Sequence, residues 1–207
     1  MKLFLSSNFY QVSDLLLPIL PKKPCELTIA FIPTAADPYK NKPWMYEDRN
    51  KLIEMGFSVV DLDIKNKTKE QLVGLTKDID IIFVSGGSTC YLLQHVQESG
   101  FDEVTKNMVA KDVIYIGSSA GSVLTCPTIE YIKDLDDKSN VDLNSYKGIG
   151  LVNFLILPHY DDVKYIIQYQ KIMKKWKNKK YEIRPLKNNQ SLIINNDTVK
   201  VMETHIK

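Results

Sequence analysis

The sequence predicts an α/β fold in which a doubly wound, mostly parallel sheet lies between two layers of helices. Short apolar runs rich in β-branched residues recur along the chain, as is typical of parallel strands buried on both faces. Segments long enough for a helix separate these runs, which indicates βαβ units. The 207 residues, of which 44% are apolar and 25% charged, suit one globular domain spanning 1–207.

The predicted strands are short apolar runs at intervals that leave room for helices between them. They lie at 3–6, 28–33, 58–61, 79–84, 113–117 and 154–157. Helices are predicted before Gly56 and Gly100, because glycine commonly ends a helix. A further helix is predicted over 164–176, where apolar residues follow the 3.6-residue period and lysines occupy the other faces. We interpret this segment as a core-packing helix with a solvated side, not as a nucleic-acid surface.

Near the C-terminus, the segments 191–195 and 199–204 predict a β-hairpin that closes one edge of the sheet. The residues that join them, Asn196 and Asp197, tolerate the positive φ angles of a tight turn. Two polar segments without periodicity, 37–43 and 134–144, are predicted to be loops at the carboxyl end of the parallel strands.

The bulk properties argue against several classes of partner. Lys and Arg number 27 against 25 Asp and Glu, so the net charge of +2 predicts no binding to nucleic acid. No signal peptide or membrane span is predicted, and we expect a cytoplasmic protein that is a monomer or a weak homodimer. Cys25, Cys90 and Cys126 are widely spaced, which predicts free thiols and no metal site.

A G-x-S-x-G sequence, Gly117-Ser118-Ser119-Ala120-Gly121, directly follows the apolar run 113–116 of a predicted strand and precedes a short helix-prone segment. A tight turn between a strand and a helix lifts one serine hydroxyl to the carboxyl edge of the sheet, and glycines permit its strained backbone. This order of elements makes Ser119 the candidate nucleophile of a hydrolase.

A serine hydroxyl needs a general base, and histidine has a suitable pKa. His95 falls within a predicted helix among apolar residues, and His205 lies two residues from the C-terminus. His159 instead follows the strand 154–157 and Pro158, at the edge where open α/β sheets bind ligands. We therefore predict His159 as the base, the alternative being a turn histidine that merely caps a helix.

An acyl-transfer site also needs amide donors for the oxyanion. The residue after the nucleophile, Ala120, supplies one amide, and Gly87, in the glycine pair after the strand 79–84, is assigned the second. This glycine pair lacks the spacing of known phosphate-binding loops. The acid that orients the histidine stays open at this stage, because several aspartates lie on suitable loops. These are Asp134, Asp136, Asp137, Asp161 and Asp162.

Several spaced motifs together resemble the peptidase E family of serine peptidases. They are Phe31-Ile32-Pro33-Thr34-Ala35, Gly86-Gly87-Ser88-Thr89, Ser119-Ala120-Gly121, Cys126-Pro127-Thr128-Ile129 and Leu157-Pro158-His159-Tyr160. The resemblance implies a fold related to class I glutamine amidotransferases and a Ser-His-acid catalytic group that needs no cofactor. It also implies removal of an N-terminal aspartate from dipeptides through an acyl-enzyme.

Carried over by position, the resemblance makes Ser119 the nucleophile, His159 the base, Asp134 the acid, and Gly87 and Ala120 the oxyanion hole. Two departures from the family pattern bear on activity. A late segment that could instead hold the acid contains Asn188, and Glu130 stands where Asp-specific members carry a basic residue. A glutamate there would repel an acidic substrate. Two alternatives therefore remain, a small-molecule binding protein without turnover and a cyanophycinase-like exopeptidase.

Overall fold

The computed structural model describes residues 1–136, 141, 143 and 145–204. The strands, numbered β1 to β9 in chain order, are Lys2–Ser6, Thr28–Ile32, Ser58–Asp61, Ile81–Val84, Ile114–Ser118, Leu155–Leu157, Ile183–Pro185, Gln190–Asn195 and Thr198–Glu203. The α-helices, numbered α1 to α7, are Phe9–Val12, Pro43–Glu54, Lys69–Leu75, Thr89–Ser99, Phe101–Ala110, Ala120–Leu124 and Ile166–Trp176. Short 3₁₀ helices are Ser13–Ile19, Pro24–Glu26, Thr34–Ala36, Glu130–Ile132 and Val163–Tyr165.

The described strands form a seven-stranded sheet in the order β3-β2-β4-β5-β1-β8-β9. The five strands from β3 to β1 run parallel, and β8 and β9 are added antiparallel beside β1. This arrangement confirms the predicted mixed α/β fold with a mostly parallel central sheet. Ser119 directly follows β5, and the glycine pair Gly86-Gly87 follows the adjacent strand β4, so both lie at the carboxyl edge of the sheet.

The core lies on both faces of this sheet, because successive side chains of a strand point in opposite directions. Phe4, Ile29 and Phe83 pack on one face with α1 and α2. Leu3 and Ile82 pack on the other face with residues of α4 to α7. The apolar side of α7 contributes to this second cluster through three buried side chains, as the periodicity predicted. They are Tyr169, Ile172 and Trp176.

One predicted strand of the sheet lies elsewhere. The run 154–157 gives β6, which pairs in parallel with β7 in a separate two-stranded sheet. The prediction that this run joins the parallel series was wrong in that respect, since an apolar run specifies burial but not the strand beside which it is buried. The strand still directs the following residues, Pro158 and His159, toward the carboxyl end of β5.

Candidate active site

Ser119 occupies the turn between β5 and α6 and has φ 48° and ψ −105°. A non-glycine residue rarely adopts this conformation, and such strain is common where a side chain is held for chemistry. The backbone N–H of Ser119 donates to the carbonyl oxygen of Ser6 at 2.9 Å, which ties the turn to the end of β1. The turn therefore has the geometry that the G-x-S-x-G sequence predicts.

Gly121 allows the helix after the nucleophile to pack directly against the sheet. A Cβ atom at this position would lie 2.1 Å from the carbonyl oxygen of Val84 in β4, which no side chain tolerates. The hydroxyl of Tyr115 in β5 donates to the carbonyl oxygen of Gly121 at 2.7 Å and so ties the helix to that strand. The short helix α6 is held against β4 and β5 by this close approach.

His159 faces the nucleophile. Its Nε2 atom lies 2.9 Å from Oγ of Ser119, and its Nδ1 atom lies 2.6 Å from Oδ1 of Asn188. The backbone of His159 has a positive φ of 57°. Asn188 lies in the loop between β7 and β8. The structure thus brings the predicted nucleophile and base together, with an asparagine amide on the far side of the ring.

The contact with Asn188 fixes the tautomer of the imidazole. An amide oxygen can only accept a hydrogen bond, so Nδ1 of His159 carries the proton and donates it to Asn188. Nε2 is then unprotonated and accepts the hydrogen bond from the hydroxyl of Ser119. This is the tautomer that a general base requires.

Burial is the largest influence on His159 and lowers the pKa of its imidazole below the ordinary value of 6.5. The hydrogen bond to Asn188 opposes this effect, as do the charges of Asp162 and Asp161, whereas the ammonium group of Lys164 adds to it. A lowered pKa keeps the imidazole neutral near pH 7 and able to accept a proton.

Asp134 does not stand at the position that the sequence assigned to it. It is exposed, in the turn after the 3₁₀ helix Glu130–Ile132. The group at Nδ1 of His159 is Asn188, and the carboxylates that influence the pKa of His159 are Asp162 and Asp161. The geometry therefore replaces Asp134 with Asn188 as the partner of the imidazole.

The two amides predicted for the oxyanion hole belong to Gly87, in the loop after β4, and to Ala120, directly after Ser119. Gly87 has φ 145°, and a Cβ atom there would lie 2.0 Å from the carbonyl oxygen of Ala35. Ala120 begins α6, so its N–H has no acceptor within that helix. Within residues 1–136, 141, 143 and 145–204, neither amide N–H donates a hydrogen bond. Gly87 lines both cavities at Ser119, and the role of the two amides in the oxyanion hole stays a prediction.

Two cavities meet at Ser119, Gly87 and His159. The smaller, of about 110 Å³, is also lined by Val123, Ile132 and Leu135 and by one carboxylate, that of Asp136. The larger, of about 410 Å³, is lined by Asn8, Asn41, Trp44, Asp48 and Lys164, among others. Ser119 therefore faces both cavities.

Asp136 and Asp48 have different surroundings in these cavities. The carboxylate of Asp136 accepts the backbone N–H of Cys90 at 2.6 Å, at the start of α4, and partial burial raises its pKa. Asp48 is 3% exposed, and its burial raises its pKa to about 7. Asp136 is one of the aspartates predicted as a possible acid, whereas Asp48 lies within a helix, belongs to no motif and is not predicted from the sequence.

The other residues considered earlier lie elsewhere. Glu130 is exposed, 3.9 Å from Lys133, and does not line either cavity. His95 contacts Glu98 at 2.8 Å on α4, and His205 lies outside the described residues. Across the described part of the chain, no cluster of three potential ligand side chains could hold a metal ion. Among the same residues, no helix combines the length and the apolar character needed to cross a bilayer.

Comparisons with known proteins match nearly the full length of the chain. The sequence pattern of peptidase family S51 matches residues 3–202. An uncharacterized peptidase of Listeria monocytogenes is 33% identical over 196 residues, which cover 93% of each chain. One of Pasteurella multocida is 29% identical over 205 residues, 99% of this chain and 98% of the relative. A crystal structure from Listeria monocytogenes EGD-e, named for peptidase E, has a TM-score of 0.91 and 30% identity, covering 99% of this chain and 98% of its own.

Proposed function

The chain belongs to peptidase family S51, a family of hydrolases, and we propose that it is a serine peptidase that cleaves short peptides through an acyl-enzyme. Family membership confirms the resemblance found in the motifs. The observation that carries the serine mechanism is the hydrogen bond of 2.9 Å between Oγ of Ser119 and Nε2 of His159. Both groups open onto the cavities that would receive the peptide.

In the first half of the reaction, Oγ of Ser119 attacks the carbonyl carbon of the scissile bond while its proton passes to Nε2 of His159. The carbonyl oxygen becomes an oxyanion, to which the amides of Gly87 and Ala120 would donate hydrogen bonds. The C–N bond then breaks, and the imidazolium returns the proton to the leaving amine. The products are a free amine and an ester on Ser119.

In the second half, water attacks the ester carbon and gives its proton to the same Nε2 atom. The C–O bond to Ser119 breaks, the serine recovers the proton, and the carboxylic acid leaves. Asn188 holds the imidazole in the required tautomer during both halves through its contact with Nδ1. Because it is uncharged, it stabilises the imidazolium less than a carboxylate would.

The charges of the cavities suggest which peptides fit. In the described part of the smaller cavity the charged side chain is the carboxylate of Asp136, and no lysine or arginine faces it. We therefore propose dipeptides with a neutral or basic residue next to the scissile bond, in preference to the N-terminal aspartate implied by the resemblance. Asp136, not the exposed Glu130, is the residue that would repel an acidic substrate.

Two alternatives remain for this site. A binding protein without turnover is favoured by one observation, the asparagine at Nδ1 of His159. A cyanophycinase-like exopeptidase would use the same nucleophile on a longer substrate. A relationship to class I glutamine amidotransferases, a cytoplasmic location, a single domain and a monomeric or weakly dimeric state remain predictions.

Labelling with a fluorophosphonate tests whether the hydroxyl of Ser119 is activated. We expect the wild-type protein to be labelled stoichiometrically at Ser119 and to hydrolyse members of a dipeptide panel. Ser119→Ala should lose both reactions, by at least about 10³-fold in rate, while its circular dichroism spectrum stays unchanged. Mass spectrometry of the labelled peptide identifies the serine.

The matched control is Ser191→Ala, which removes another buried serine hydroxyl. That hydroxyl has no hydrogen-bond partner among the residues that the structure describes, so labelling should match wild type. Labelling without hydrolysis of any dipeptide would favour the longer substrates of an exopeptidase. A wild-type protein that resists the fluorophosphonate would contradict the serine mechanism and favour the binding protein.

A further inference from the structure

The end of β1, with the residue that follows it, contacts both catalytic residues. Ser119 and His159 each have a positive φ, of 48° and 57°, and such conformations persist only where the surroundings hold them. The backbone N–H of Ser119 donates to the carbonyl oxygen of Ser6 at 2.9 Å. The backbone N–H of His159 donates to the hydroxyl of Ser7 at 3.1 Å. Two consecutive residues, the last of β1 and the first after it, thus hold the two strained positions.

The hydroxyl of Ser7 also reaches the segment that carries Asn188. It donates to the carbonyl oxygen of Leu186 at 2.7 Å, and Ser7 is only 1% exposed. Leu186 stands two residues before Asn188, whose Oδ1 contacts the imidazole at 2.6 Å. One buried hydroxyl therefore joins the backbone of His159 to the loop that fixes its tautomer.

The same carbonyl oxygen of Leu186 accepts the backbone N–H of Tyr160 at 3.1 Å, so it keeps a partner if Ser7 loses its hydroxyl. The N–H of His159 has no such substitute, because Ser7 is its acceptor. Loss of the hydroxyl would therefore release the backbone of the base, while the nucleophile stays held by a carbonyl group of the main chain.

We propose that Ser7 is a positioning residue for the reaction: its hydroxyl sets the imidazole of His159 between Ser119 and Asn188. This inference rests on the proposed serine mechanism, and it goes beyond that mechanism by assigning a role to a side chain outside the catalytic group. The hydroxyl of Ser7 bonds to the backbone of His159 and to the carbonyl oxygen of Leu186 and acts through these groups, although Ser7 also lines the larger cavity.

The test compares inactivation by diisopropyl fluorophosphate in wild type, Ser7→Ala and Ser13→Ala. Ser13 is a matched control, because its hydroxyl is also buried near the N-terminus but donates to the carbonyl oxygen of Tyr10 at 3.2 Å. For Ser7→Ala we expect the limiting inactivation rate to fall about 10- to 100-fold, as for a small displacement of a catalytic group. The reagent's apparent dissociation constant should change less than about threefold, and Ser13→Ala should behave as wild type.

A second readout follows the imidazole directly. In protein labelled with ¹⁵N-histidine, the Nδ1–H proton held by Asn188 should give a low-field NMR signal, assigned by its loss in His159→Gln. We expect Ser7→Ala to broaden or shift this signal and Ser13→Ala to leave it unchanged. Ser7→Thr keeps a hydroxyl and should recover most of the inactivation rate. Ser7→Cys has a side chain of similar size, but its thiol forms only weak hydrogen bonds. If Ser7→Ala does not fold, Ser7→Cys replaces it in the comparison of inactivation rate and NMR signal.

An unchanged inactivation rate in Ser7→Ala, or an equal loss in Ser13→Ala, would overturn the proposal. Failure of the serine mechanism itself would look different. In that case wild type would also resist the reagent, while the NMR signal would still report whether Ser7 holds the imidazole.

Discussion

At the scale of single residues, the site depends on one amide. Asn188 holds Nδ1 of His159 at 2.6 Å, and burial of the imidazole lowers its pKa. A neutral partner selects the tautomer but adds little charge stabilisation when the ring becomes protonated. The base should therefore work to a lower pH than an ordinary histidine, with a smaller rate than a charged partner would give.

Asn188→Asp should reverse both the low working pH of the base and its reduced rate. A carboxylate beside Nδ1 favours the imidazolium, so it raises the pKa of His159 and strengthens the hydrogen bond as charge develops. Because the neutral ring is the active form, the acidic limb of the pH–rate profile should move to higher pH. The limiting rate should rise about tenfold, the difference between a neutral and a charged hydrogen bond. The profile of fluorophosphonate inactivation against pH measures both.

Asn107→Asp, an exposed change on α5 that adds the same charge, should leave the profile unchanged. If Asn188→Asp reacted more slowly and the acidic limb of its pH–rate profile did not move, the prediction would be contradicted. The amide of Asn188 would then do more than select the tautomer of His159.

At the scale of elements, the nucleophile depends on how closely α6 approaches the sheet. The helix has five residues, too few to be stable alone, so contacts with β4 and β5 must hold it. Gly121 makes the contact with β4 possible, because its missing side chain leaves room for the carbonyl group of Val84. The position of Ser119 is thus a property of the packed turn and not of the helix itself.

Gly121→Ala should push α6 away from β4. The added methyl group would meet a backbone atom at 2.1 Å, which cannot move without disturbing the central sheet. We expect a loss of about 3 kcal/mol or more in the free energy of unfolding, measured by urea denaturation, together with loss of labelling at Ser119. Gly74→Ala in α3 is the control, since nothing lies within 4 Å of the added Cβ. It should stabilise the protein slightly. Equal stability of the two variants would contradict this account of the turn.

At the scale of the whole molecule, a buried carboxylate links three elements on one side of the sheet. Asp48 of α2 accepts the N–H of Tyr10 in α1 at 3.1 Å and a hydrogen bond from the side chain of Ser118 in β5. Burial outweighs these bonds and raises its pKa from 3.8 to about 7. Folding therefore favours the protonated form, and the contribution of Asp48 to stability is lost as the pH rises from about 4 through 7.

Asp48→Asn should remove this dependence on pH. The amide keeps an oxygen for the N–H of Tyr10 but carries no charge to bury. The difference in the free energy of unfolding between the variant and wild type should shift in favour of the variant by about 2 to 3 kcal/mol when the pH is raised from 5 to 8. Urea denaturation at the two pH values measures this difference. Asp14→Asn, at an exposed position, should show no such gain. A constant difference between Asp48→Asn and wild type would exclude Asp48 as the source.

The sequence by itself predicted the features that depend on local pattern. The parallel strands followed from apolar runs, and the candidate nucleophile Ser119 followed from a glycine-flanked turn between strand and helix. His159 followed from its place after an apolar strand, although that strand, β6, proved to lie outside the main sheet. Periodicity and turn chemistry are short-range properties, so these predictions needed few neighbours.

Only the tertiary structure decided which groups surround the imidazole. Counting along the chain pointed to Asp134, whereas the contact is made by Asn188, 29 residues beyond His159. Ser7 reaches the same histidine from 152 residues away. Such contacts depend on how β6 and β7 pair and where the following loop crosses the end of β1. No local pattern encodes that arrangement, because it results from packing of the whole chain around one sheet edge.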